Sequence, residues 1–261
     1  MPQPLETRPV VLVTGSAQRI GREIAFELAA HGWSVAVHYR RSTAEAERTV
    51  AAVQQAGGRA IAFAADLANE AECEALAPAV QSAFGRIDAV VNNASLFEYD
   101  SVDDFGFAAM ERHWRANVAP AIVLARALHH AGGGTVVNLL DQKLWNPNPD
   151  YLSYTLSKAA LEAANTLLAQ ALAPRVRVCG VAPGVTLLSG EMSGEEFASS
   201  HRMTPLQRSS TPQDVARAVR FLLESPAITG TTLLVDGGQH LLPQPRDVMF
   251  LARDHTEPKA P

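Results

Sequence analysis

The sequence has little that would tie it to nucleic acid, a membrane or a metal. Its 261 residues carry 22 Lys and Arg against 27 Asp and Glu, a formal net charge of -5, with no block of like charges. Without a basic stripe, polyanion binding is not expected. No apolar run approaches the roughly 18 residues of a bilayer span. The first ten residues, MPQPLETRPV, lack the apolar stretch of a secretory leader. Only two cysteines occur, Cys73 and Cys179, too few for a disulfide framework, and they read as buried or half-buried thiols. The eight histidines show no metal-ligand spacing, so no metal is expected. No repeat and no linker divides the chain. What these absences leave is a cytoplasmic protein that handles small molecules, with no nucleic-acid or membrane partner.

What is present is regular alternation. PVVLVTG, WSVAVHY, RAIAFAAD, IDAVVNNA, GTVVNLL, RVRVCGVAP and TTLLVDGG read as short buried strands. Helical segments lie between them, including a long one expected from Ala108 to His130 and one opened by Thr211 as N-cap with Pro212. The apolar runs are too continuous for strands with one wet face. The sheet is therefore expected to be parallel and covered on both sides, an α/β unit over residues 1–261. Roughly residues 1–8 and 247–261 are expected to be peripheral, and Gly184 to Leu206 reads as an insertion over the sheet edge.

Chemistry concentrates in NLLDQKLWNPNPDYLSYTLSK. Tyr154 and Lys158 are four apart and share one helix face. An ammonium there favours the phenolate, so Lys158 is expected to lower the Tyr154 pKa from about 10. Tyr154 would then give a proton to a group that has received hydride. The turn Thr14-Gly15-Ser16-Ala17-Gln18-Arg19-Ile20-Gly21 joins the first strand to the first helix. It offers backbone N–H groups and a helix N-terminus to a pyrophosphate. Gly15 would permit the tight turn and Gly21 close packing.

These motifs, with Asn92-Asn93-Ala94, Asn117, Pro183-Gly184 and Val235-Asp236-Gly237-Gly238, resemble the short-chain dehydrogenase/reductase family over nearly the whole chain. The resemblance implies a Rossmann-type doubly wound parallel sheet with helices on both faces. It makes Tyr154 the proton donor and places Lys158 on the nicotinamide ribose. Asn117 would hold a water at a helix distortion. Gly15, Arg19, Ile20, Gly21, Asn93, Ala94, Pro183 and Gly184 would line the cofactor, and the assembly would be a homotetramer. Leu161, Ala164, Leu167 and Leu168 fit an assembly face or a core face equally.

At the end of the second strand, His38-Tyr39-Arg40-Arg41-Ser42 carries no acidic residue for a ribose 2′-hydroxyl. Two cations and a hydroxyl suit a 2′-phosphate instead, so NADPH is the expected cofactor. Two solvated arginines on a loop are the alternative. Asp66-Leu67 resembles the family's adenine-edge contact; Asp66 reads equally as a helix N-cap.

The family's usual serine after the fifth strand is missing, and Asp141 stands in its place. A carboxyl group can accept from ring or amino N–H groups, or donate when protonated. Capping a turn is the alternative. Arg19 within the glycine-rich turn, Ser95-Leu96-Phe97 after Asn92-Asn93-Ala94, and Asp141 together resemble pteridine reductases and dihydromonapterin reductases. By that resemblance Phe97 stacks on a pterin, Ser95 contacts cofactor phosphate or pterin, and Arg19 bridges the two. Leu188 would be a lid contact. The expected reaction is NADPH-dependent reduction of a dihydropterin to the tetrahydropterin. A ketone reductase and a non-catalytic dinucleotide-binding regulator are the rivals.

Overall fold

The computed structural model describes residues 7–188 and 192–256. Among them, β1 (Val10–Val13), β2 (Ser34–Tyr39), β3 (Arg59–Ala64), β4 (Ala89–Asn92), β5 (Gly134–Leu139), β6 (Val176–Pro183) and β7 (Thr232–Val235) form one sheet. Its order is β3-β2-β1-β4-β5-β6-β7, and every pairing is parallel. The chain winds outward from β1 to β3, then returns to add β4 on the other side of β1. The carboxyl ends of β1 and β4 therefore flank the switch point where such sheets bind ligands.

The helices are α1 (Arg19–Ala30), α2 (Thr43–Gln55), α3 (Glu70–Phe84), α4 (Phe107–Asn117), α5 (Ala119–His130), α6 (Leu152–Leu172), α7 (Gly194–Arg202), α8 (Pro212–Glu224) and α9 (Val248–Thr256). Side chains alternate across a strand, so neighbouring residues of β1 enter two different cores. Val11 and Val13 pack with Ile24 and Leu28 of α1 and with Val215 and Leu222 of α8. Val10 and Leu12 pack with Leu76 and Val80 of α3 and with Leu124 and Leu128 of α5. Both faces are dry, which is why the strands read as unbroken apolar runs. Each such fully buried side chain stabilises by about 1.5–3 kcal/mol. Thr211 caps α8 through Asp214 with Pro212 in the first turn, and both cysteines are buried. No helix among the described residues is long and apolar enough to cross a membrane.

Three expectations are corrected. The long helix from Ala108 to His130 is two helices, α4 and α5, broken at Val118. Pro120 has no N–H for the carbonyl of Ala116, so the ladder cannot run through. Asp66 is not the cap of α3: Asn69 is, accepting from the N–H groups of Ala71 and Glu72, while Asp66 turns its carboxylate onto the Ala68 N–H. The tail is not peripheral from residue 247, because Val248, Met249 and Ala252 of α9 are buried. There α9 packs on α7, and Arg253 pairs with Glu196 at 3.2 Å. The segment expected as an insertion thus carries α7, and with α9 it builds a wall around Tyr151 and Tyr154.

Candidate active site

The β1–α1 turn is shaped by close backbone approach. Gly15 has φ +61°, in the left-handed region that glycine tolerates. A Cβ on Gly21 would lie 2.4 Å from the Gly15 carbonyl and 2.5 Å from Asn93 Nδ2. Arg19 also has φ 56°, a conformation that costs a non-glycine residue about 1–2 kcal/mol. The guanidinium meanwhile reaches across and donates from Nη2 to the Leu188 carbonyl at 2.9 Å. The N-cap residue Gln18 makes no side-chain cap hydrogen bond to α1, and the first turn of the helix holds no acidic residue. The first-turn N–H groups and the positive end of the helix dipole are thus left for an anion.

Side chains lock this turn from behind. Asn93 Nδ2 donates to the carbonyls of Thr14 and Gly15 at 2.9 and 3.1 Å. Thr14 Oγ1 accepts from the N–H groups of Asn93 and Ala94. His38 accepts from the Gly15 N–H at 3.0 Å and contacts the Ala65 carbonyl at 3.1 Å. Burial lowers its pKa, so the ring is neutral, with Nδ1 the acceptor and Nε2–H the donor. His38 therefore acts chiefly as a brace for the turn, a role its place two residues before Arg40 did not suggest.

A cleft of about 660 Å³ runs along this edge. Gly15, Arg19, Ile20, Gly21, His38, Arg40, Arg41, Ser42, Asp66, Leu67, Asn93, Ala94 and Ser95 all line it. Tyr39 does not: it packs on the α1–α2 core. Pro183 ends β6 and Gly184 follows it, both outside the lining. Gln18, Arg112 and Arg115 line the cleft without having been singled out. Nothing near Arg112 and Arg115 in sequence marks them, because α4 reaches the cleft only through the fold.

At the other end, Asp141 does two jobs. Its Oδ1 accepts from the Lys143 N–H at 2.9 Å, capping a 3-10 turn over Gln142–Leu144. Its Oδ2 accepts from the Tyr154 hydroxyl at 2.8 Å. The two readings of Asp141 were thus not exclusive. Burial raises the Asp141 pKa, against the opposing pull of the Lys143 N–H and Tyr154 hydrogen bonds. Tyr154 is pushed well above 10 by burial, then by the Asp141 charge and hydrogen bond. This corrects the expectation that Lys158 lowers it. Lys158 is itself desolvated, its pKa brought down to about 8, and its Nζ donates to the Leu139 carbonyl at 2.7 Å. A phenol facing a carboxylate resists ionisation more than a nearby ammonium can offset.

Asn117 stands at the break between α4 and α5, where a helix distortion was expected. Its Nδ2 donates to the Leu96 carbonyl and to Ser157 Oγ, and its Oδ1 accepts from the Leu96 N–H at 2.7 Å. It clamps the loop after β4 onto α6. Ser95 Oγ also donates to Asn117 Oδ1, at 3.3 Å. The same loop presents Phe97, 43 % exposed, stacked on Tyr151 at 4.3 Å and edge-on to Tyr154 at 4.6 Å. Phe97 is thus no core residue. Leu188 is represented by its carbonyl, with its side chain half-exposed.

The start of α6 also escaped sequence reading. Tyr151 starts α6 in a left-handed conformation and supplies no cap. The buried Asp100 caps α6 instead, accepting from the Ser153 N–H at 2.9 Å and from Ser153 Oγ. It joins the Phe97 loop to the helix that carries Tyr154.

Residues 15–240 match the family model adh_short_C2, described as enoyl-(acyl carrier protein) reductase. Pteridine reductase 1 of Leishmania tarentolae is 34 % identical, over 90 % of this chain and 97 % of that protein. The 3-oxoacyl-[acyl-carrier-protein] reductase of Synechocystis sp. is 33 % identical, over 89 % and 97 %. The crystal structure of FolM alternative dihydrofolate reductase 1 from Brucella suis, in complex with NADP, superposes with a TM-score of 0.87 at 40 % identity, covering 92 % of this chain and 98 % of that one.

Proposed function

The chain belongs to the short-chain dehydrogenase/reductase family of oxidoreductases, and within it we propose that it reduces dihydropterins to tetrahydropterins with NADPH. The observation that carries this reading is the 2.8 Å hydrogen bond from Tyr154 to Asp141, in the place where a serine would polarise a ketone. The Brucella and Leishmania relatives support it by their names.

The residues present suit the cofactor. The uncapped start of α1 would take the pyrophosphate. Arg40, Arg41 and Ser42, with no acidic residue among them, would take the 2′-phosphate. Bound there, NADPH supplies the hydride that reduces the N5=C6 bond of the pterin.

The chain's own residues manage the proton. The Tyr154 hydroxyl donates to Asp141, and burial favours the protonated form of each. They release a proton only to a strong base, such as the nitrogen that gains charge as its carbon is reduced. Lys158 keeps a cation beside the pair, which offsets the charge left on it. Asp141 also offers an oxygen to the amino or ring N–H groups of the pterin, and Phe97 gives the flat ring an aromatic partner worth about 0.5–1.5 kcal/mol beyond burial. Arg19 and Ser95 would contact the cofactor phosphate or the pterin, and Leu188 the lid side. The family's tetramer is expected through α6 and the α4–α5 pair. Leu167 and Trp114 lie exposed there, whereas Leu161 and Ala164 serve the core. Light scattering tests the assembly.

The 3-oxoacyl reductase relative favours a second reading, a ketone reductase. NADPH oxidation by the purified protein with 7,8-dihydromonapterin, 7,8-dihydrobiopterin and dihydrofolate, beside a panel of 3-oxoacyl thioesters and other ketones, separates the two. Fast turnover of a dihydropterin alone is expected. Ketone turnover with inert pterins would replace the proposal. NADPH binding with no turnover of either would point to a non-catalytic regulator.

A further inference from the structure

A buried lysine stands two residues from Asp141, and its ammonium is held by the far end of the chain. Lys143 is 3 % exposed. Its backbone N–H binds the Asp141 carboxylate at 2.9 Å, so ammonium and carboxylate belong to residues joined by a short turn. Its Nζ donates to the Asp150 carbonyl at 2.6 Å and pairs with Asp247 Oδ2 at 3.3 Å. It also lies 5.3 Å from the Tyr151 ring centroid. Asp247 is held in turn. Its N–H donates to Asp150 Oδ2 at 2.7 Å, beside the two-pronged Arg246–Asp150 ion pair. From there α9 runs on, and Met249 accepts from the Tyr151 hydroxyl at 3.7 Å.

We propose that Lys143 and Asp247 form a positioning pair for the hydrogen-bonded Asp141–Tyr154 pair, brought into the active site by the segment from Arg246 to Ala252. The proposal rests on the reading of Asp141 and Tyr154 as the proton source. A buried ion pair is seldom kept for stability, because desolvation offsets most of its attraction. Here it meets the site at two points, the Asp141 turn and the start of α6.

The charged and titratable groups that face the dyad come from three elements. Tyr151, Tyr154 and Lys158 lie on α6 and its first turn, and Asp150 just before it. Lys143 lies on the 3-10 turn, and Asp247 with Arg246 on the C-terminal segment. Among them Asp247 pushes both Asp141 and Tyr154 toward the protonated form, and Lys143, 3.3 Å from Asp247 Oδ2, is its counter-charge. The two members of the pair should therefore act in opposite directions. In Asp247→Asn an anion is removed, so Asp141 ionises at lower pH and the basic limb of the kcat/KM profile moves to lower pH, by about one unit. In Lys143→Met, Asp247 loses its counter-charge, and the limb moves to higher pH. The double variant returns toward the wild-type profile.

The experiment is the pH profile of NADPH oxidation for these three variants, with whichever substrate the wild type turns over. Alongside it runs a carboxyl-carbon NMR titration of 13C-aspartate-labelled protein without substrate, with the Asp141 signal identified by Asp141→Asn. Opposite shifts in the two single variants, in both measurements, support the pair. Shifts of the same sign, or lost thermal stability with an unmoved Asp141 titration, would overturn it and leave a plain anchor for α9. The NMR arm needs no substrate. Failure of the pterin reading would appear in the wild type's substrate preference, and failure of the pair would appear in the Asp141 titration.

Discussion

The β1–α1 turn and the Asp141–Tyr154 pair lie on the same edge of one sheet, yet they are held in different ways. The turn is made by backbone: Gly15 in a left-handed conformation, Gly21 with no room for a Cβ, and a helix start left uncapped. Its braces, Thr14, His38 and Asn93, come from the ends of adjoining strands. The Asp141–Tyr154 end is made by side chains from segments far apart in sequence. Asp100 caps α6 from the β4–α4 loop, Asn117 clamps the Phe97 loop, and Lys143 meets Asp247 across 104 residues. Backbone can cradle phosphate in many proteins because every residue carries an N–H group. Recognising one ring and delivering one proton needs particular side chains, and distant segments can supply them.

If the two ends are separable, each should fail alone. Tyr154→Phe removes the proton donor and should lower kcat by about 10²–10⁴-fold, with the NADPH Kd from fluorescence titration within a few-fold of wild type. A matching loss of NADPH affinity would mean that the two ends are coupled. Next in size, the Arg40→Ala/Arg41→Ala double variant should weaken NADPH by about 10–100-fold, the worth of charged hydrogen bonds of roughly 1.5–3 kcal/mol. NADH and the substrate KM should scarcely change, and an equal loss for NADH would remove the 2′-phosphate assignment. The smallest effect expected is that of Asp100→Ala. Loss of the cap costs about 0.5–2 kcal/mol, which lowers Tm by a few degrees in a chain of this size. Substrate KM should rise more than the NADPH Kd. If the NADPH Kd rises as much, Asp100 serves the whole cleft and not one end.

The same division decides what could be read from the sequence. Strands, their burial on both faces, the glycine-rich turn and the Thr211 cap are local signals, written within a few residues, and they are where the sequence puts them. Tyr154 and Lys158 were legible because a helix turn brings them onto one face. The sign of the Tyr154 shift was not, since it is set first by burial and then by Asp141, 13 residues away, and both arise only from the fold. Asn117 was expected at a helix distortion, and the chain does break there. Its partners Leu96 and Ser157 lie on other elements, however, and no spacing announces them. The tail ending RDHTEPKAP reads as loose because it is polar, although Val248, Met249 and Ala252 just before it are buried. Residues 257–261 of that tail lie outside the described residues.

The central claim is that Asp141, in place of a serine, directs this site toward a C=N bond in a pterin. The most direct measurement is kcat/KM for a dihydropterin and for a 3-oxoacyl thioester, side by side, in the wild type and in Asp141→Ser. The account predicts a wild type that prefers the dihydropterin, and a variant that loses at least about 100-fold on it while binding NADPH as before. An Asp141→Ser variant that still reduces the dihydropterin at the wild-type rate, or a wild type that prefers the thioester, would contradict it.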